Sequence, residues 1–87
     1  MNYIKVKSIE HFKELLDNGE TEFVVSAGAF RSSKYITADD DFVYILHYCD
    51  DSEEQLPWEQ VNEPDSYISE KIANGLLYCE TNKSYEL

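Results

Sequence analysis

The chain has 87 residues, of which 18 are Asp or Glu and 7 are Lys or Arg, so its formal net charge at pH 7 is −11. A surface of this charge repels nucleic acids and anionic membranes, which argues against direct binding to either. An apolar fraction of 43%, with 7 Tyr, 4 Phe and 1 Trp, argues against a disordered acidic tail, because these residues can build a core. We therefore expect a single acidic domain over residues 1–87.

The N-terminal stretch predicts a short strand followed by a helix. Tyr3-Ile4-Lys5-Val6 has the composition of a strand. Apolar residues then recur at helical spacing over residues 8–18, where Ser8 supplies the N-cap and Asn18-Gly19 supplies the stop.

A three-stranded antiparallel meander is predicted next, from β-branched and aromatic residues that two turns interrupt. The strands cover residues 22–27, 33–38 and 42–49, and the turns lie at Gly28–Ser32 and Asp39–Asp41.

The remaining residues predict a loop, two helical segments and a final strand. Asp50–Glu54 is expected to be a loop, Leu56-Pro57-Trp58 opens a short helical turn, and Pro64-Asp65-Ser66 begins a helix that Asn74-Gly75 ends. Leu76–Cys79 is a last strand before a tail. This order predicts a two-layer α+β fold, with an antiparallel sheet of three to four strands and two helices on one face.

Alternation of side chains along the predicted strands assigns them to two faces. Ile36 and Ile45 fall on the face that should meet the helices. The opposite, open face then carries three tyrosines: Tyr35, Tyr44 and Tyr48. The expected core is drawn from both layers and consists of Phe12, Leu15, Leu16, Val25, Ile36, Val43, Ile45, Ile68, Ile72 and Leu76.

The sequence gives no indication of catalysis. His11 and His47 fall on different predicted elements, and no motif for nucleotide binding, a catalytic metal or an activated nucleophile is present. We therefore expect no enzyme activity, no catalytic residue, no metal site and no cofactor.

The N-terminus has no apolar signal-peptide region, and no run of about 20 apolar residues could span a membrane. A cytoplasmic location is expected. Cys49 and Cys79 each lie near the end of an apolar run, and we expect both to be buried, reduced thiols, with a disulfide as the less favoured alternative.

The turn that contains Arg31 and Lys34 concentrates positive charge in an otherwise acidic chain. An antiparallel meander places this turn at the same end of the sheet as the loop after the third strand, which holds Asp50, Asp51, Glu53 and Glu54. Internal ion pairing is the favoured interpretation. The alternatives are a site for a phosphate or a partner carboxylate, or a small enzyme or ligand-binding protein centred on this turn.

The opposite end of the predicted sheet is expected to gather negative charge. The residues that the meander brings there are Glu20, Glu22, Asp39, Asp40 and Asp41, with Asp17 from the end of the helix. Clustered like charge costs stability, so this acidic pole is either a docking surface for Lys and Arg on a partner or a solvated loop end.

The segment Gly28-Ala29-Phe30-Arg31-Ser32-Ser33-Lys34-Tyr35-Ile36 resembles a Gly-x-x-Arg-Ser-Ser-Lys-x-Ile segment of small bacterial, phage and mobile-element proteins. In size and charge the whole chain resembles the acidic phage-borne inhibitors, which include anti-CRISPR proteins and DNA mimics. The resemblance implies an inhibitory protein and assigns no residue a role.

Two functions are therefore expected as alternatives. The first is a non-enzymatic binding protein that inhibits or modulates a basic, nucleic-acid-handling partner by presenting carboxylates where phosphates would bind. The second is a protein–protein interaction domain that uses its Tyr-rich open face, with the acidity serving solubility.

Overall fold

The computed structural model describes residues 2–27 and 30–83. Gly28 and Ala29, from the predicted turn and the segment that carries the family resemblance, lie outside the described residues, as do residues 84–87 of the predicted tail. In chain order the elements are β1 (Asn2–Lys5), α1 (Ile9–Asp17), β2 (Glu22–Ala27), β3 (Phe30–Ala38), β4 (Phe42–His47), β5 (Ser52–Pro57), α2 (Trp58–Val61), α3 (Tyr67–Ala73) and β6 (Leu77–Thr81).

The strands form one antiparallel sheet in the order β1-β6-β2-β3-β4-β5. The predicted α+β class is confirmed. The predicted size is wrong, because within the described residues the sheet has six strands rather than three to four, and three helices are present rather than two. The meander from β2 to β4 continues into β5, and β6 returns to insert between β1 and β2.

The largest single difference is β5, where the sequence predicts a loop over Asp50–Glu54. Residues 48–51 instead form a turn, and Ser52 then pairs with His47 on β4. The backbone N–H of Ser52 donates to Oδ1 of Asp50 at 3.0 Å, and Asp51 adopts a left-handed φ of 57°. This local geometry returns the chain beside β4, and pairing with β4 makes a strand from polar residues that have little strand preference of their own.

Side-chain caps fix the beginnings of the two longer helices where the sequence predicts them. The Ser8 hydroxyl accepts from the backbone N–H of His11 at 3.0 Å, and the Ser66 hydroxyl accepts from that of Ser69 at 3.1 Å. Gly19 follows α1 with a φ of +89°, a conformation that favours glycine and ends the helix.

A single apolar cluster joins the helices to one face of the sheet. Phe12 on α1 packs edge-on against Phe23 on β2, with 5.4 Å between ring centroids, and against Trp58 on α2 at 6.3 Å. Seven of the ten expected core residues are buried, and the other three, Leu16, Ile72 and Leu76, are partly buried against the same cluster. The core also contains residues outside the expected set: Ile4, Val6, Phe23, Val61, Leu77 and Cys79.

The assignment of the two sheet faces is confirmed. Ile36 and Ile45 are 0% and 1% exposed beneath the helices, whereas Tyr35 and Tyr48 on the other face are 39% and 45% exposed. We call this second side of the sheet the open face. It presents exposed tyrosines on a six-stranded sheet.

Candidate functional site

One row of side chains crosses all six strands of the open face. Strand pairing aligns these residues in the order Tyr3, Glu80, Glu22, Tyr35, Leu46 and Glu53, one from each strand. The row therefore combines aromatic and aliphatic surface with carboxylates: Glu80 and Glu22 are neighbours, and Tyr35 and Leu46 separate them from Glu53. Tyr3 and Glu80 are functional candidates that the sequence alone did not reveal, because their positions depend on where β1 and β6 join the sheet.

Glu22 and Glu80 lie side by side on β2 and β6. Both line a surface recess of about 260 Å³ together with Thr81 and Asn82. Contacts within 4.0 Å between a carboxylate and a basic nitrogen are found in the described part of the chain at Glu54 with His47 and at Glu70 with Lys71, and at neither Glu22 nor Glu80. Neighbouring like charges on a sheet are destabilising, so this pair is a place where a cation from outside would be stabilised.

Tyr48 lies beside the carboxylate pair. Its hydroxyl donates to Oε1 and Oε2 of Glu22 at 3.3 and 3.4 Å. Partial desolvation, and then the negative charge of Glu22, raise the pKa of Tyr48 above its usual value. Tyr48 therefore contacts the carboxylate pair through its hydroxyl while the residue stays 45% exposed to solvent.

Tyr44 is held by Asp39 at the end of β3. The Tyr44 hydroxyl donates to Oδ2 of Asp39 at 2.7 Å, while Oδ1 accepts from the backbone N–H groups of Asp41 and Phe42 at 2.8 and 2.7 Å. The hydrogen bond from Tyr44, followed by those from the backbone, lowers the pKa of Asp39. The same hydrogen bond to Asp39 raises the pKa of Tyr44. Both oxygens of this carboxylate are thus engaged in shaping the β3–β4 turn.

The two basic residues of β3, Arg31 and Lys34, lie on opposite faces of the sheet, so they do not form one positively charged cluster. Arg31 lies on the open face, where its guanidinium carbon is 4.9 Å from the centroid of the Tyr3 ring. Lys34 lies on the helix face and is 2% exposed. Its Nζ donates to the Ser32 hydroxyl at 2.8 Å and lies 5.6 Å from the centroid of the Tyr67 ring.

The predicted ion pairing of Arg31 and Lys34 with residues 50–54 is wrong as a set of direct contacts. Within the described residues neither cation has a carboxylate within 4.0 Å. Burial lowers the pKa of Lys34, and the charges of Glu54 and Asp50 are near enough to oppose that shift. Alternation along β3 places Arg31 on the far side of the sheet, and Glu54 instead lies 3.6 Å from Nε2 of His47.

Residues 50–54 lie in three different places. Asp50 and Asp51 belong to the β4–β5 turn, and alternation along β5 directs Glu53 and Glu54 to opposite faces of the sheet. Hydrogen bonds from the Ser52 hydroxyl and backbone N–H lower the pKa of Asp50. Asp51 is an exposed turn residue. Glu53 lies on the open face opposite Leu46, whereas Glu54 is directed to the helix face. Of these residues, only Glu53 joins the row on the open face.

The predicted acidic pole does not form as one surface cluster. Glu20 is 8% exposed, and its Oε2 accepts from Sγ of Cys79 at 3.6 Å. Burial, and then the nearby Glu20, raise the pKa of Cys79 to about 12. The expectation of two buried thiols is correct for Cys79 and wrong for Cys49, which is exposed because it lies in the turn after β4. The side chain of Glu20 therefore contacts Cys79 on β6 and is not part of the protein surface.

The remaining residues of the predicted pole lie near α1 and α2. Asp17, Asp39 and Asp40 line a recess with Lys13 and Trp58, where Lys13 Nζ is 4.9 Å from the centroid of the Trp58 ring. The adjacent Asp41 is exposed in the same turn. This group is therefore separate from Glu22 on the open face.

Comparisons with protein-family models, with curated proteins and with solved structures found no match to this chain. Among residues 2–27 and 30–83, no set of three or more His, Cys, Asp or Glu side chains is arranged to hold a metal ion. Within the same residues, no helix has the length and apolar character needed to cross a membrane.

Proposed function

We propose that this chain is a non-enzymatic binding protein that binds a basic protein partner on its open face. This partner is a protein that handles nucleic acid, and binding modulates its activity. The observation that carries the proposal is the row across six strands, in which tyrosines stand beside carboxylates that have no internal cation within 4.0 Å among the described residues. Tyrosine supplies contact area at low entropic cost, and a carboxylate accepts strong hydrogen bonds from Lys and Arg.

An internal contact supports this choice of partner chemistry. The guanidinium of Arg31 lies over the ring of Tyr3, at 4.9 Å from the ring centroid, on the same face. Attraction between a cation and an aromatic ring adds about 0.5 to 1 kcal/mol at an exposed site. Tyr35 and Tyr48 offer comparable exposed rings to cations of a partner.

The spacing of the carboxylates favours docking over imitation of a phosphate backbone. Adjacent strands are about 4.8 Å apart, so Glu80 and Glu22 are near neighbours, while Glu53, three strands further on, is about 14 Å from Glu22. Duplex DNA offers about one charge per 1.7 Å of helix axis. The open face is therefore better suited to separate Lys and Arg side chains than to a site that expects a dense row of phosphates.

The net charge of −11 supports the proposed class of partner. It would accelerate encounter with a positively charged surface, and such surfaces are common on proteins that handle nucleic acids. The acidic phage-borne inhibitors that the chain resembles in size and charge point to the same class. Inhibition would follow if the open face covered the partner's basic surface and excluded its nucleic acid.

The test compares two variants with the same change in net charge. Glu22→Gln with Glu80→Gln removes two charges from the open face, and Glu14→Gln with Glu63→Gln removes two exposed charges near the helices. A partner captured from a lysate would be purified, and its binding rates would be measured at two salt concentrations with and without competing nucleic acid.

We expect the open-face variant to weaken binding about a hundredfold and to reduce its salt dependence, since two charge-assisted hydrogen bonds are lost and each is worth about 1.5 kcal/mol. The control variant should bind almost as the wild type does, and nucleic acid should compete. Equal losses in both variants would mean that only net charge matters. Unchanged binding by the open-face variant, or failure of nucleic acid to compete, would contradict the proposal.

A further inference from the structure

A second recess lies on the open face near the edge of the sheet that β5 forms. It has a volume of about 450 Å³, and its lining includes Tyr35, Thr37, Tyr44, Leu46, Glu53 and Gln55. These residues come from β3, β4 and β5, so three adjacent strands of the sheet form the recess. It is separate from the recess at Glu22 and Glu80.

Strand pairing gives this recess an apolar base, aromatic walls and a polar rim. Leu46 pairs with Tyr35 and Thr37 pairs with Tyr44, so the two tyrosines stand diagonally across the base. On β5, Glu53 pairs with Leu46 and Gln55 with Tyr44, which places a carboxylate and an amide along one side.

The walls and the rim are available to a ligand. The ring of Tyr44 is held in place by its hydrogen bond to Asp39 at 2.7 Å, and the side chain of Tyr35 is 39% exposed. Glu53 is exposed and, within the described residues, has no Lys, Arg or His within 4.0 Å. A carboxylate therefore faces an aromatic recess without an internal counter-ion.

We propose that this recess binds the guanidinium side chain of an arginine on the partner. This inference rests on the proposed function and names the group that the face recognises. The methylene stem of the arginine lies on Leu46, the planar guanidinium stacks on a tyrosine ring, and its N–H groups donate to Glu53 and to the side-chain oxygen of Gln55. Arginine fits better than lysine because its head group is planar, weakly hydrated and able to stack while donating to a carboxylate.

The probes are N-acetyl-arginine amide, its neutral isostere N-acetyl-citrulline amide and N-acetyl-lysine amide, titrated into the whole protein and followed by backbone amide chemical shifts. We expect the arginine probe to shift the amides of Leu46, Glu53 and Gln55 with a dissociation constant in the millimolar range, as is usual for a single small group. The citrulline and lysine probes should bind several-fold more weakly.

Two variants test the contact at the rim. Glu53→Gln should weaken binding of the arginine probe about tenfold, the loss expected for one charge-assisted hydrogen bond. Glu59→Gln on α2 changes the net charge equally and should leave binding of the probe unchanged. Unchanged amide spectra outside the mutated positions would show that both variants are folded.

The outcomes separate this inference from the proposed function. Arginine shifts confined to Glu22 and Glu80, or equal binding of all three probes, would overturn the recess as an arginine site while leaving docking on the open face intact. Loss of binding in Glu53→Gln but not in Glu59→Gln supports it. If the partner binds the wild type and the Glu22→Gln, Glu80→Gln variant equally, the proposed function fails whatever the probes do.

Discussion

Replacement of Ile45 by Ala should show directly which side of the sheet is core. Ile45 lies in the middle of β4, is 1% exposed and belongs to the apolar cluster beneath the helices. The change removes three carbon atoms, worth about 2.4 kcal/mol as lost burial at about 0.8 kcal/mol per methylene group, and it leaves a cavity that raises the cost into the range of about 2 to 5 kcal/mol.

The neighbouring residue is the matched control. Leu46 is half-buried on the open face, so Leu46→Ala leaves a solvent-open gap rather than a cavity and should cost about 1 kcal/mol. Urea unfolding followed by the fluorescence of Trp58 measures both values. If Ile45→Ala is too unstable to fold, Ile45→Val should still cost about 0.5 to 1.5 kcal/mol. A larger cost for Leu46→Ala than for Ile45→Ala would refute the assignment of the faces.

Three further predictions concern charge. Thermal melting should show stability rising between low salt and about 0.3 M salt, because counterions relieve the repulsion of a −11 chain; a falling midpoint would mean that attractive pairs dominate. Lys34→Met should keep or raise the free energy of unfolding measured in urea, because it removes a buried cation. Burial lowers the pKa of Lys34, so the wild-type lysine loses its charge as the pH rises through that lowered pKa towards 10.5. The stability of Lys34→Met relative to the wild type should therefore decrease over this pH range. Hydrogen bonds lower the pKa of Asp39, so the stability of the wild type relative to Asp39→Asn should be full above pH 3.8 and lost as the pH falls through the lowered pKa; a constant difference across an acid titration would contradict this.

Local sequence signals were sufficient for much of the fold. The Ser8 cap, the Pro64-Asp65-Ser66 start and the two Asn-Gly stops bound α1 and α3 in the sequence and in the structure, because these signals act within a few residues. Alternation along β3 and β4 also gave the two faces correctly, since each strand has one strongly apolar side.

The strands that the sequence did not predict correctly depend on distant partners. β5 has four exposed polar residues in succession, so it has neither alternation nor strong strand preference, and β4 supplies its pairing. The position of β6 between β1 and β2 depends on contacts between residues far apart in the chain, which no local pattern encodes.

The candidate site shows the same difference between residues that local patterns reveal and residues whose positions depend on distant strand pairing. Tyr35, Tyr44 and Tyr48 were found from the alternation of neighbouring strands. Glu80 alternates with buried Leu77 and Cys79 along β6, a signal that was present in the sequence, but its position beside Glu22 could not be known until β6 was placed next to β2. Glu20 was expected at the surface because composition alone cannot show that the fold packs it against Cys79.

The measurement that tests docking on the open face most directly is hydroxyl-radical footprinting of the protein with a purified basic partner. Tyrosine side chains are oxidised according to their exposure, and Tyr3, Tyr35 and Tyr48 are 47%, 39% and 45% exposed in the free protein. We expect the partner to protect these three tyrosines and to leave Trp58, on the helix side, unchanged. Protection of Trp58 with undiminished oxidation of the three tyrosines would contradict the account.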